Sequence, residues 1–207
     1  KLPGSMVQGE LEMNYNIANM FATPVLKFDF ANHKDNTKLL ELIESWDTGS
    51  HALVSGAQSS YMKSDKHILD HEDLKDLKAD FQKAVDIYCD KVGLGNNIKI
   101  SMSWFNVLEK GQSVNLHRHE VSVLSAAYYV KADKDSAGLN FKSPIDPYRM
   151  HEYFVKNTEY NVKNVEVACE QGTLYLFPSW LEHGVSINRT SDIRVSVACN
   201  FRVTDGH

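Results

Sequence analysis

The chain has 207 residues, of which 43% are hydrophobic and 24% are charged. This is the composition of a globular protein, and the length suffices for one domain with a sizeable core but not for two full domains. Because 27 acidic residues exceed 22 Lys and Arg, the formal net charge is -5, which argues against nucleic acid or an anionic membrane surface as the main partner. The partner classes that the charge does not argue against are small-molecule and peptide substrates.

The three cysteines indicate the cellular compartment. Cys89, Cys169 and Cys199 are far apart and form no CxxC pair, so the sequence predicts neither a disulfide framework nor a thiolate zinc site. No apolar stretch approaches the roughly 18 residues of a membrane span, and no signal-peptide pattern opens the chain. We therefore expect a cytoplasmic protein in which nitrogen and oxygen atoms hold any metal.

The chain is expected to hold one domain. Residues 1–12 resemble the remnant of an expression tag, which leaves residues 13–207 as a single domain. In the first half, residues 24–30 predict a strand, and the apolar spacing from Asn36 to Trp46 predicts a helix that Asn36 could cap. A longer helix is predicted from about Glu72 to Val92, ended by Gly93.

The sequence pattern of the second half is typical of a β-protein. Eight short strand-like segments follow one another with turn signals between them, which is typical of a sandwich or barrel. We expect a mainly β fold with some α, a jelly roll with a core at about residues 98–203 and with the N-terminal helices packed on one sheet. The eight segments are Ile98 to Leu108, Val121 to Lys131, Gly138 to Phe141, Glu152 to Glu159, Asn164 to Val167, Gly172 to Phe177, Gly184 to Ile187 and Ile193 to Val203.

Two histidine motifs indicate a metal site. His117 and His119 lie two residues apart, so on an extended strand both rings point to the same face. His183 follows a strand that ends at Pro178 and a short turn, and a jelly roll can bring it beside the first pair. Three imidazoles suit iron, zinc, copper or nickel and leave coordination positions open.

Arg194 is the third unusual feature. It lies in an otherwise apolar strand, Ile193 to Val197, where a buried guanidinium is unfavourable unless it meets an anion. Its planar fork matches a carboxylate. The alternative is an edge-strand arginine paired with a surface acid such as Asp192.

Together these residues resemble a known family. The pattern of HxH, then His183, then Arg194 with Ser196 two residues on, is similar to the HxD...H...RxS pattern of the iron(II)- and 2-oxoglutarate-dependent oxygenases, which fold as a double-stranded β-helix. The phrases Ser-Ala-Ala-Tyr-Tyr-Val and Phe-Pro-Ser-Trp-Leu-Glu-His resemble an oxygenase subfamily near the prolyl hydroxylases. The likeness covers about residues 100–203.

The resemblance implies roles for several residues. It implies that His117 and His183 are iron ligands. It also implies that Arg194, Ser196 and Tyr129 bind the distal carboxylate of 2-oxoglutarate. Asn106 is a further candidate for contact with this co-substrate, with a turn or strand-edge role as the alternative. The implied cofactors are Fe(II), 2-oxoglutarate and O2, and the implied reaction is hydroxylation of a C-H bond in a peptide, amino-acid or small-molecule substrate with release of succinate and CO2.

The sequence departs from the family at one ligand. The second ligand is usually Asp, whereas this chain has His119, which would make a three-histidine site of higher formal charge. Glu120 could supply the missing carboxylate only if a bulge turned it to the same face. His119 is the expected ligand.

Two other functional classes stay open from the sequence. One is a cupin-type three-histidine dioxygenase that does not use 2-oxoglutarate, and the other is a non-catalytic jelly-roll binding module. Arg194 distinguishes a 2-oxoglutarate-dependent oxygenase from a cupin-type dioxygenase, because a cupin does not need a lone cation at that position.

Overall fold

The computed structural model describes residues 16–17, 20–50, 56–63, 67–149 and 151–204. The predicted tag remnant at residues 1–12 lies outside the described residues. Within the described part, no helix is both long enough and apolar enough to cross a membrane.

The described elements are mostly strands. The helices are α1 (Asn36–Ser45) and α2 (Lys75–Val92), with short 3-10 turns at Ile68–Asp70, Glu72–Leu74 and Asp146–Tyr148. The strands are β1 (Leu26–Asp29), β2 (Gly49–Ser50), β3 (Gln58–Ser59), β4 (Ile98–Leu108), β5 (Val114–His117), β6 (Leu124–Lys131), β7 (Leu139–Lys142), β8 (Asn164–Val167), β9 (Thr173–Pro178), β10 (His183–Val185) and β11 (Arg194–Val203).

Two antiparallel sheets form the jelly roll. The larger has the order β1-β9-β6-β11-β4-β3-β2, and the smaller has the order β5-β10-β7-β8. From β4 to β11 the chain crosses between the sheets so that β4, β11, β6 and β9 face β5, β10, β7 and β8. The expected double-stranded β-helix is confirmed.

Alternation of side chains along β6 and β11 builds two cores. On β6, Tyr128 packs toward the helices and Tyr129 toward the space between the sheets. On β11, Val195 likewise packs on the helical side, whereas Arg194 and Ser196 line the interior cavity. Because successive side chains of a strand point to opposite faces, one strand serves both the helix-facing core and the interior.

The helices cover the outer face of the large sheet, as predicted. Helix α1 contacts β6, and α2 contacts β4 and β9. Helix α2 ends at Gly93, whose φ of 75° is left-handed and therefore favours glycine.

The predicted capping role of Asn36 is wrong. Asp35 occupies the cap position, and the Asn36 amide instead donates to the carbonyl oxygen of Phe30 at 2.8 Å and accepts from the Tyr128 hydroxyl. Asn36 thereby ties the start of α1 to the sheet.

The predicted strand Glu152 to Glu159 is also wrong. This segment belongs to the connection between β7 and β8 and pairs with no strand, and Tyr153 is 90% exposed. Aromatic and β-branched residues favour a strand only where a partner strand and a core face exist. In the small sheet β7 pairs with β8, which is the last strand of the described order.

Candidate metal and co-substrate site

Two of the three histidines face each other across a strand pair. His117 ends β5, His183 begins β10, and the antiparallel register places them directly opposite each other with ring centroids 4.5 Å apart. The two strands therefore fix the relative position of these rings through backbone hydrogen bonds.

His119 joins them from just beyond the strand. It follows the end of β5, and its backbone N-H donates to the carbonyl oxygen of Ser179 at 3.0 Å. One ligand atom from each of His117, His119 and His183 lies within 4.8 Å of the others, and no other such group of three or more potential ligands occurs in the described residues. We call these three residues the histidine cluster.

Glu120 lies away from the histidine cluster. Its side chain is 82% exposed, and its nearest described charge is Arg118, 4.0 Å from Nε to Oε1. Glu120 lies in a turn beyond the end of β5 and is not among the residues whose ligand atoms converge.

Burial keeps the cluster neutral. The pKa of His183 is lowered to about 3 and that of His119 to about 4, in both cases first because burial penalises the protonated ring and next because His117 is close. Burial also lowers the pKa of His117. The three rings are therefore unprotonated at neutral pH, which is the state that binds metal.

Hydrogen bonds orient two of the rings. Nδ1 of His117 lies 2.8 Å from the carbonyl oxygen of Asn115, and Nδ1 of His183 lies 2.8 Å from that of Leu181. Because a carbonyl oxygen only accepts, each Nδ1 carries the proton and each Nε2 presents a lone pair. A fixed tautomer of this kind is usual for metal-binding histidines.

Arg194 lies in the same cavity with only neutral hydrogen-bond partners. Its side chain is 1% exposed, Nε donates to the carbonyl oxygen of Ala137 at 2.9 Å, and Nη1 donates to Oγ of Ser196 at 3.1 Å. Its guanidinium carbon stacks 4.8 Å from the ring centre of Tyr129. No carboxylate of the described residues forms an ion pair with it, and Asp192, the alternative partner considered from the sequence, does not.

The other predicted co-substrate residues lie in one row beside Arg194. In the register of the large sheet, Ser196 of β11 pairs with Asn106 of β4 on one side and with Tyr129 of β6 on the other. The Oδ1 atom of Asn106 and the hydroxyl of Tyr129 are buried without a hydrogen-bond partner. Buried polar atoms without partners are unfavourable, so this row is suited to a polar ligand. Burial raises the pKa of Tyr129 well above its usual value, which keeps its hydroxyl protonated.

One cavity of about 220 Å³ is lined by the histidine cluster together with Arg194, Ser196 and Asn106. This is smaller than the usual pocket for a drug-sized ligand. Tyr129 contacts Arg194 but does not itself line this cavity. The lining residues that the sequence did not single out include Tyr61, Trp104 and Asn200. Asn200 could have been found, because it shares the inward phase of Arg194 on β11, whereas Tyr61 follows β3 in an irregular turn that carries no periodic signal.

The family comparison covers the strands that build this cavity. Residues 102–200 match the family model described as "Putative 2OG-Fe(II) oxygenase". No curated protein sequence matches the chain significantly.

Solved structures with the same architecture have low sequence identity. A prolyl-4-hydroxylase from Pseudomonas putida is 13% identical with a TM-score of 0.58, over 88% of this chain and 94% of that chain. HygX from Streptomyces hygroscopicus, solved with nickel, 2-oxoglutarate and hygromycin B, is 10% identical with a TM-score of 0.59, over 88% and 84%. A prolyl hydroxylase from Trichoplax adhaerens, solved with a hypoxia inducible factor peptide fragment, is 14% identical with a TM-score of 0.56, over 86% and 83%. At such identities the likeness shows the shared fold alone.

Proposed function

We propose that the chain is a hydroxylase of the iron(II)- and 2-oxoglutarate-dependent oxygenase superfamily, whose family model matches residues 102–200. It oxidises a C-H bond of an amino-acid, peptide or small-molecule substrate and converts 2-oxoglutarate into succinate and CO2. The observation that carries the proposal is the buried Arg194, which has no carboxylate partner and lines the same cavity as the histidine cluster.

The histidine cluster suits the iron ion of this superfamily. His117, His119 and His183 are neutral, converge within 4.8 Å, and include two rings whose Nε2 atoms are free to bind. Imidazole is a good ligand for iron, and three protein ligands leave positions for the co-substrate and for O2. When bound, iron supplies the activation of O2 that couples co-substrate decarboxylation to substrate oxidation.

The Arg194 end of the cavity suits the far carboxylate of 2-oxoglutarate. The guanidinium provides charge and a planar set of donors, and Ser196 and Tyr129 provide hydroxyl groups beside it. Asn106 adds an amide in the same row. An anion here would compensate a buried positive charge that otherwise meets only neutral groups.

The protein contributes position and exclusion of water. The ring of Phe177 packs 4.7 Å from that of His183, and Phe141 packs on Phe177 at 5.0 Å between ring centres. An apolar wall of this kind keeps bulk water from one side of the histidine cluster. Fixed strands hold the co-substrate end and the metal end at a constant separation, which orients the reactants.

A peptide or amino-acid residue is the substrate class that we favour. Prolyl hydroxylases are among the solved structures that share the fold. The cavity wall beside His119 is aromatic, with Trp104 at 5.8 Å and Tyr61 packed edge-on to Trp104 at 5.1 Å between ring centres. Flat aromatic faces suit a small aliphatic side chain.

Arg194 also argues against the cupin alternative. A cupin that does not use 2-oxoglutarate has no need for a buried cation at the far end of its metal cavity. A non-catalytic module needs neither the cation nor three converging neutral histidines.

Ligand binding tests the proposal directly. Under anaerobic conditions, Fe(II) and 2-oxoglutarate added together should give a weak visible charge-transfer band, and 2-oxoglutarate should raise the melting temperature of the Mn(II)-loaded protein. Arg194→Ala should raise the Kd for 2-oxoglutarate roughly thirtyfold or more, since it removes a buried charged partner.

Arg202→Ala is the matched control, because Arg202 is exposed on the same strand. It should leave the affinity unchanged. If 2-oxoglutarate at millimolar concentration neither stabilises the Mn(II)-loaded protein nor produces the band, the proposed function is wrong.

A further inference from the structure

Asn200 contacts the one histidine of the cluster whose Nδ1 does not face a carbonyl oxygen. Its side chain is buried on β11, and its Nδ2 lies 3.3 Å from Nδ1 of His119. Asn200 occupies the same inward phase as Arg194 and Ser196, so β11 contributes to both ends of the cavity.

Asn200 is part of a buried polar chain. The Ser125 hydroxyl donates to Oδ1 of Asn200 at 2.9 Å, and Oγ of Ser125 lies 2.8 Å from Oγ of Ser179. The carbonyl oxygen of Ser179 in turn accepts from the backbone N-H of His119 at 3.0 Å. The chain therefore holds His119 at both its ring and its backbone.

The direction of these bonds determines which nitrogen of His119 can bind metal. With Nδ2 of Asn200 donating, Nδ1 of His119 accepts and Nε2 carries the proton of the neutral ring. His117 and His183 have the opposite tautomer, with Nδ1 protonated against a carbonyl oxygen. His119 therefore differs from its partners in the tautomer that Asn200 supports.

A half-turn of the Asn200 amide removes this difference. Its oxygen and nitrogen exchange places, so Oδ1 accepts from Nδ1-H of His119 and Nδ2 donates to Ser125. The Ser125 hydroxyl then donates to Ser179 instead of accepting from it. Since a hydroxyl is both donor and acceptor, the hydrogen bonds that join His119, Asn200, Ser125 and Ser179 are all kept.

We propose that Asn200 is a positioning residue for metal binding, which turns its amide when the histidine cluster is loaded and so frees Nε2 of His119. The inference rests on the metal site of the proposed function. It adds that Asn200 sets the tautomer of His119, the ligand that departs from the family pattern. Groups that fix the tautomer of metal-binding histidines typically affect affinity by about 10–100-fold.

Zn(II) affinity in a set of variants tests the role. Asn200→Leu, which cannot accept a hydrogen bond, should weaken Zn(II) binding by about 10–100-fold in competition with a chromophoric chelator. Asn200→Asp should restore affinity to within about threefold of wild type, because a carboxylate accepts from Nδ1-H. A merely structural role would not give this difference between two variants.

Met102→Leu is the matched control, since Met102 pairs with Asn200 in the strand register and its sulfur lies 3.9 Å from Nδ2. It should bind Zn(II) as wild type does. Melting temperatures of the metal-free variants show whether each of them folds.

The ¹⁵N spectrum of histidine-labelled protein gives a readout that is independent of activity. Zn(II) should convert His119 from the Nε2-H to the Nδ1-H form in wild type. Wild-type Zn(II) affinity in Asn200→Leu, or an unprotonated Nδ1 of His119 in the Zn(II)-loaded protein, would overturn the inference. A failure of 2-oxoglutarate to bind would instead count against the proposed function, because this test uses Zn(II) alone.

Discussion

His183 lies directly opposite His117 in the pairing of β10 with β5, and the ring centres are 4.5 Å apart. The separation of the two rings is thus set by the approach of two backbones. Any change that pushes these strands apart should affect metal binding even if it leaves all three histidines in the chain.

Gly184 allows this close approach. A Cβ at Gly184 would lie 2.7 Å from the backbone oxygen of Val114 on β5, closer than a carbon can normally approach. We expect Gly184→Ala to destabilise the fold by about 1–3 kcal/mol through overpacking and to weaken Co(II) binding. Urea unfolding and titration of Co(II) absorption measure the two effects.

Gly95→Ala is the control for this variant. Its Cβ would meet only the Asn97 side chain, at 3.2 Å, and Gly95 is exposed in the segment that follows α2. It should leave Co(II) binding unchanged. Unaltered Co(II) binding in Gly184→Ala would show that metal binding does not depend on the close approach of β5 and β10.

The second ligand can be assigned by comparing two neighbouring residues. His119→Ala should weaken Co(II) binding by at least about tenfold, because it removes a direct ligand. Glu120→Gln should change the affinity little, since Glu120 is 82% exposed and lies outside the cluster. A loss of affinity in Glu120→Gln equal to that in His119→Ala would make Glu120 the ligand.

Much of the site could be predicted because its signals are local in sequence. Two histidines at a spacing of two and an arginine in an apolar strand are visible without any structure, and the strand pattern predicted eight of the described strands. Which residues meet across strands could not be predicted from periodicity. The contact of Asn200 with His119 depends on how far the segment after β5 turns back toward β11, and local pattern carries no information on that.

The same reasoning explains the error at Glu152 to Glu159. Tyr153, Phe154 and Val155 are residue types that favour strands, but in the structure all three are exposed and no strand pairs with them. Strand propensity reflects how well a side chain packs on a half-buried sheet, so it does not indicate whether a partner strand is present.

Tyr129 should show opposite effects on folding and on binding. Its hydroxyl is buried without a partner, so Tyr129→Phe should stabilise the ligand-free protein by about 1 kcal/mol. The same variant should weaken 2-oxoglutarate binding by roughly tenfold to hundredfold, because a hydrogen bond to a charged group contributes about 1.5–3 kcal/mol. Urea unfolding and calorimetric titration of the Mn(II)-loaded protein measure these effects.

Tyr175→Phe is a suitable comparison, since the Tyr175 hydroxyl donates to the carbonyl oxygen of Ala168 at 3.2 Å. That variant should lose stability and keep its affinity for 2-oxoglutarate. Equal affinity of Tyr129→Phe and wild type would remove Tyr129 from the co-substrate site.

The histidine cluster should make the metal-free protein sensitive to mild acid. In the folded state the pKa is about 3 for His183 and about 4 for His119, whereas in the unfolded chain both are near the ordinary value of about 6.5. Between these values the unfolded state binds more protons, so the free energy of unfolding falls as the pH falls from about 6.5 toward 4. Urea midpoints at pH 7, 6 and 5 in the presence of a chelator measure how steeply the free energy of unfolding depends on pH.

Asp80, whose pKa is lowered chiefly by Lys83, also contributes to the pH dependence at low pH, so the difference between variants is the decisive quantity. His183→Gln should flatten the slope, and His151→Gln, at an exposed position, should keep it. An equal slope in wild type and His183→Gln would mean that His183 is protonated in the folded protein at mild pH.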